Sequence, residues 1–153
     1  MKKFALALLA CLLLAGCNLV TKNETGNYKE GTYTGSTTDN YGGQVNTALA
    51  VVTVDSNGKI SNVYVDSTYT TSDGTVTTKK SLGNDYNMKT YNVNAVGEWY
   101  EQAGALEKNV VDNQGLNGVT LDNDGYTDTV SGCTIKVNAL YTAIENALNK
   151  AKK

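Results

Sequence analysis

The sequence predicts an α+β domain in which a mainly antiparallel β-sheet packs against two amphipathic helices. Three observations predict it. Runs rich in Val and Thr, separated by turn residues, fill the first half of the chain. From Val96 onward the apolar residues recur at helical spacing instead, first over 96–111 and again over 135–150. Strands therefore precede helices rather than alternating with them, which argues against a parallel βαβ arrangement.

The first residues stand apart from that domain. Met1-Lys2-Lys3 is a short positive stretch, and residues 4–15 form an apolar run too short for an ordinary spanning helix. Leu14-Ala15-Gly16-Cys17 then sets small residues directly before a cysteine. Residues 1–16 read as a signal peptide and are left out of fold reasoning. Residues 18–27 are polar and aperiodic, so 17–27 read as a flexible tether and 28–153 as the domain.

Within the domain, residues 28–35 carry Gly31-Thr32-Tyr33-Thr34-Gly35 and read as a strand. Residues 44–54 and 59–69 are strands joined by Asp55-Ser56-Asn57-Gly58, a strong turn signal, and together predict a β-hairpin. Ser72-Asp73-Gly74 marks a further turn before a short strand over 75–80. The first helix presents Val96, Trp99, Tyr100, Ala103, Leu106, Val110 and Val111 on one face, with Gly115 as its C-cap. Gly104 in its interior costs about 1 kcal/mol. A polar loop over 116–128 follows. The last helix presents Val137, Leu140, Tyr141, Ile144 and Leu148, and Lys150, Lys152 and Lys153 suit its C-terminal dipole.

Composition removes several function classes. There is no His, which takes away the usual metal ligand and general base and excludes a Ser-His-Asp triad or a Cys-His pair. Of the three cysteines, Cys11 falls in the leader and Cys17 at its end, so Cys133 alone cannot build an internal disulfide. The chain carries no Arg and a net charge of −2, a poor composition for a nucleic-acid partner. Asp122-Asn123-Asp124-Gly125 hints at a calcium loop, but the EF-hand spacing fails and a polar turn explains it.

The stretch that can carry chemistry is Asp128-Thr129-Val130-Ser131-Gly132-Cys133-Thr134-Ile135, placed before the last helix. Orphan N–H groups at a helix start attract phosphate, Gly132 permits close approach, and Ser131 and Thr134 offer hydroxyls. The competing reading is that Ser and Thr here are plain N-caps, the commoner use of such residues. Trp99, Tyr86, Tyr91 and Met88 could wall a flat ligand, which wants aromatic or polarizable contacts. For Trp99 the alternative is core packing, since its spacing fits the helix stripe.

Two resemblances sharpen this. Leu14-Ala15-Gly16-Cys17 resembles the bacterial lipobox, which implies a diacylglycerol on the Cys17 thiol, cleavage after Gly16 and anchorage in the lipid bilayer on the extracytoplasmic face. Residues 128–134 resemble the Asp-x-x-Ser-Gly-Ala-Thr signature of the bacterial FMN-binding domain family. Gly31 to Gly35 and the turn Asn57-Gly58-Lys59-Ile60 extend the likeness, and Leu82 to Lys89 and Glu98 to Ala103 resemble the family's extracellular electron-transfer lipoprotein branch, so that it covers most of the domain. It implies FMN as cofactor, a flavin transferase that esterifies FMN phosphate to Thr134, and a quinone-linked electron donor in the membrane. The motif implies cofactor contacts at Thr134, Cys133, Gly132, Ser131 and Asp128, and Tyr86 and Met88 join them as the candidate ring walls. Cys133 stands where the family has Ala, and a thiol beside the acceptor could leave FMN noncovalent or absent. The expectation is a tethered flavin-carrying electron-transfer lipoprotein, a redox carrier rather than a stand-alone enzyme. The alternative is a non-redox surface lipoprotein that uses the fold for ligand or protein binding.

Overall fold

A computed structural model describes residues 26–153. The segments read as a signal peptide and tether, through residue 25 and including Cys17, lie outside the described residues. Gly26 N–H reaches Asn57 O at 2.8 Å, and Tyr28 forms a bridge with Lys152. No helix among the described residues is long and apolar enough to cross a membrane.

Four strands, β1 (Gly31–Tyr41), β2 (Gln44–Val54), β3 (Ile60–Thr70) and β4 (Val76–Thr78), pair antiparallel in the order β1-β2-β3-β4. Two short helices, α1 (Lys79–Leu82) and α2 (Met88–Tyr91), flank a 3₁₀ turn (Gly83–Tyr86). Two long ones, α3 (Trp99–Asp112) and α4 (Asn138–Ala151), complete the α+β fold. The predicted sheet and its two amphipathic helices are present.

The β2–β3 hairpin forms as its sequence predicts. Asp55 Oδ1 accepts from Asn57 N at 2.8 Å and Lys59 N at 2.9 Å, and Gly58 takes the left-handed φ of 73° that closes the turn. Along β2 every second residue from Asn46 to Val54 is buried, so Ala48, Ala50, Val52 and Val54 face the helices. Against them lie Ile60, Val63 and Val65 of β3, Leu106 and Val110 of α3, and Leu140, Ile144 and Leu148 of α4.

α4 crosses β1 and β2 while α3 runs along β3. The α4 crossing is close because β1 offers Gly35 there. A Cβ at Gly35 would stand 2.0 Å from Ala143 O and 2.6 Å from Ala147 N. The open edge of β3 is covered by side chains of α3 and of Gln114, the residue after its C-cap. Val65 N donates to Glu107 Oε1 at 2.6 Å, Ile60 N donates to Gln114 Oε1 at 2.8 Å, and Gln114 Nε2 returns a bond to Ile60 O at 2.9 Å.

Four details differ from the sequence reading. β1 runs to Tyr41 and closes on β2 through Gly42-Gly43, whose φ values of 61° and 78° suit a two-residue hairpin turn. Residues 75–80 give only a three-residue strand before the chain turns into α1. α3 starts at Trp99 rather than Val96, which is 59% exposed; Glu98 ends the preceding loop by donating its N–H to Glu101 Oε2 at 2.7 Å. At the other end of α3 the left-handed residue is Gln114 (φ 53°), and Gly115 follows it, donating to Val110 O at 2.9 Å in a Schellman arrangement.

Candidate functional site

The last helix begins at Asn138, so Ser131 to Thr134 precede it by several residues and cap nothing. Its first amides are met by Gly125 O, which accepts from Val137 N at 2.8 Å and Asn138 N at 3.2 Å. Both the helix-terminus anion site and the plain N-cap are therefore replaced by an irregular ledge. Gly125 is held in place by a polar turn in which Asp122 Oδ1 accepts from Asp124 N and Tyr126 N at 3.0 and 2.8 Å.

On the ledge, alternate residues face in and out. Cys133 and Ile135 are buried in the core, while Thr134 and Lys136 are exposed. Gly132 takes φ 81° in the turn that sets this alternation, with Cys133 N donating to Val130 O at 3.2 Å. Thr134 is fixed from behind by Gln102 of α3. Its N–H and its hydroxyl both donate to Gln102 Oε1, at 2.7 and 2.9 Å. Gln102 is fully buried, and its Nε2 donates to Gly97 O at 2.7 Å and reaches Met88 Sδ at 3.6 Å.

Thr134 stands on the ridge between two depressions. One is a narrow cleft of about 50 Å³, partly open to solvent, and Thr134, Tyr86, Met88, Trp99, Lys79 and Asp39 are among its walls. That volume is below the range of about 300–1,000 Å³ typical of small-molecule sites, so the cleft as it stands encloses only part of such a ligand. The other is a wider groove of about 470 Å³, walled by Thr120, Asp122, Tyr126, Asp128 and Thr134 among others.

The cleft is aromatic, polarizable and carries positive charge. Lys79, only 5% exposed, sits over the rings of Trp99, Tyr41 and Tyr86 at 5.3, 5.6 and 5.9 Å and pairs with Asp39 Oδ2 at 3.5 Å. Burial pulls its ammonium below the usual lysine range, and the Asp39 carboxylate works against that pull. Tyr86 is steadied edge-on by Tyr69, with ring centroids 5.2 Å apart, and burial pushes its hydroxyl up to about 12. Met88 is held by Glu98 Oε2, which accepts from its N–H at 2.8 Å.

The sequence-predicted residues thus separate. Thr134, Tyr86 and Met88 come together in one cleft, joined by Trp99, which serves the cleft and the core at once. Asp128 faces the second groove, and Ser131 and Gly132 are exposed on the turn but wall neither depression. Cys133 points into the core, and burial pushes its thiol up, so it stays protonated and inert. Tyr91 is 85% exposed and forms no part of the cleft wall, a correction to its reading as a ring partner. Sequence reasoning did not single out Gln102, Lys79 or Asp39. A polar residue at an inward position between Trp99 and Leu106 was the available signal for Gln102; nothing in the pattern marked Lys79.

A family model described as FMN-binding domain matches residues 14–149. No curated protein and no solved structure matches the chain.

Proposed function

The chain belongs to the FMN-binding domain family and FMN is its cofactor; on that premise we propose that it is a membrane-tethered electron carrier holding FMN by a phosphoester to Thr134. The observation that carries this reading is the placement of Thr134, an exposed residue, in the wall of a cleft lined by Trp99, Tyr86 and Met88. Flat and polarizable groups suit the face of a three-ring ligand lying across the cleft mouth, and a hydroxyl-bearing residue beside them suits its phosphate tail.

Bound FMN supplies one- and two-electron chemistry. The chain's own residues do the rest. Trp99 and Tyr86 offer faces and edges for the ring, Met88 fills space against it, and Lys79 places a buried cation in the same cleft. Cys17, carrying lipid, would hold the domain at the membrane, where roughly 0.8 kcal/mol per buried methylene makes two or more acyl chains a firm anchor. A quinone-linked donor in that membrane and an acceptor outside it complete the shuttle, with a flavin transferase as the maturation partner. The feature that favoured a non-redox surface protein, the thiol beside the acceptor, lies in the core and off the cleft.

The test is coexpression of the full chain with a flavin transferase, followed by in-gel flavin fluorescence and intact mass of the membrane-extracted protein. An FMN adduct on the wild type that vanishes in Thr134→Ala, and an acyl modification that vanishes with Cys17→Ser, are the expected results. A wild type without adduct, or an adduct that survives Thr134→Ala, overturns the attachment. A wild type unmodified at Cys17 overturns the tether.

A further inference from the structure

Gln102 presents an unusual arrangement, a fully buried carboxamide whose single oxygen takes both donors of one exposed residue. Its orientation is settled by its partners. Nε2 faces the Gly97 carbonyl, which can only accept, and Oε1 faces the Thr134 N–H, which can only donate. The flipped amide would set donor against donor at Thr134 N–H and acceptor against acceptor at Gly97 O, breaking both bonds, so Oε1 faces Thr134.

We propose that Gln102 is the positioning residue for flavinylation, fixing Thr134 Oγ1, the nucleophile, at the cleft wall by holding it from behind. The proposal rests on Thr134 being the acceptor. In the transfer, Oγ1 forms a bond to the FMN phosphorus of FAD, the bond from that phosphorus to the bridging pyrophosphate oxygen breaks, and AMP leaves. No electrons are exchanged. The hydroxyl proton passes to a base of the transferase, because a carboxamide oxygen is far too weak a base to keep it.

The two-donor arrangement suits such a step. Before transfer, the O–H bond to Gln102 fixes the Thr134 rotamer and turns the remaining lone pairs of Oγ1 away from Gln102. After transfer the O–H is gone, yet Oε1 still accepts from Thr134 N–H, so the buried oxygen is never orphaned. One bond is permanent and structural, and the other is expendable. Met88 ties this support to the cleft wall through its contact with Nε2.

The experiment measures initial rates of FMN-adduct formation on the full chain, with purified flavin transferase and FAD, as acceptor concentration is varied. Gln102→Met keeps the volume but removes the strong acceptor; Gln102→Glu in the protonated form that burial favours keeps an acceptor toward Thr134 and a donor toward Gly97 O. Emission from the sole tryptophan, Trp99, reports folding of each variant. The expected result is a kcat at least about tenfold lower in Gln102→Met with KM within about twofold, and a kcat in Gln102→Glu within about threefold of wild type. A folded Gln102→Met with wild-type kcat overturns the proposal. Should Gln102→Met not fold, Gln102→Glu decides: near-wild-type kcat supports the role, and a tenfold loss overturns it. A wild type that takes no flavin on Thr134 is a different outcome, the failure of the attachment itself.

Discussion

The Lys79 ammonium lies 5.3 Å from the centroid of the Trp99 ring, in a cleft it shares with Thr134. A lysine this buried is normally costly, and here the cost is offset by three aromatic faces and by Asp39. The result is a fixed positive charge beside the space where the ring of FMN would sit.

That charge favours the electron-rich, reduced form of a ligand in the cleft. Lys79→Met should lower the two-electron midpoint potential of the FMN-loaded protein by on the order of 30 mV, about 1.4 kcal/mol for a two-electron couple. Spectroelectrochemical titration of both proteins reads this directly. An unchanged potential would show that the ammonium does not sense the flavin.

Cys133 stands where the family has Ala, but its side chain is buried in the core rather than turned to the cleft. Cys133→Ala should therefore leave the yield of FMN adduct within about twofold of wild type. It should cost about 1 kcal/mol of stability through lost packing, measured by urea unfolding. A large gain in adduct yield would mean that the thiol does obstruct the acceptor.

Gly35 is where α4 meets the backbone of β1. Gly35→Ala should destabilise the fold by about 3 kcal/mol or more, since the new methyl would meet backbone atoms that cannot move without shifting the helix. Gly42→Ala is the contrast: it meets open space and strains only a φ of 61°, for a cost of roughly 1–2 kcal/mol. Similar unfolding midpoints for the two variants would contradict the close packing.

Alkaline stability follows from two tyrosines. Burial pushes the hydroxyls of Tyr64 and Tyr86 up to about 12 from an ordinary value of 10.0, with the Asp66 side chain adding to the effect at Tyr64. The folded state keeps these protons where the unfolded chain loses them. Their stabilisation is full below pH 10 and falls away as pH rises toward about 12. Lys79 acts in the opposite sense, its burial cost easing as pH climbs toward 10.5. Tyrosinate absorbance should show a late phase that shrinks in Tyr64→Phe and in Tyr86→Phe. A single titration step near pH 10, with the fold intact, would refute the burial argument.

The hairpin of β2 and β3 was legible because Val- and Thr-rich runs and an Asp-Ser-Asn-Gly turn agree. The outer half of β1 was not, since Ser36 to Asn40 contains no apolar residue; pairing with β2 makes it a strand. The last helix was expected from residue 135, yet Ile135 lies on the ledge and Val137 is the N-cap, because two buried apolar residues spaced by two also suit a chain that alternates inward and outward. Thr134, Tyr86 and Met88 were identifiable as individual residues. That Asp128 faces another groove was not, because facing depends on the turn at Gly132.

The sequence by itself determined the fold class, the order of strands and helices, the absence of histidine chemistry, and Thr134 as the hydroxyl to examine. Those properties are local: they follow from composition, period and motif. Only the tertiary structure decided that Gln102 stands behind Thr134 and that Lys79 enters a box of three rings. Both are contacts between segments far apart along the chain, and they exist because α3 and the β4–α1 turn are brought to the same cleft by sheet pairing and helix packing.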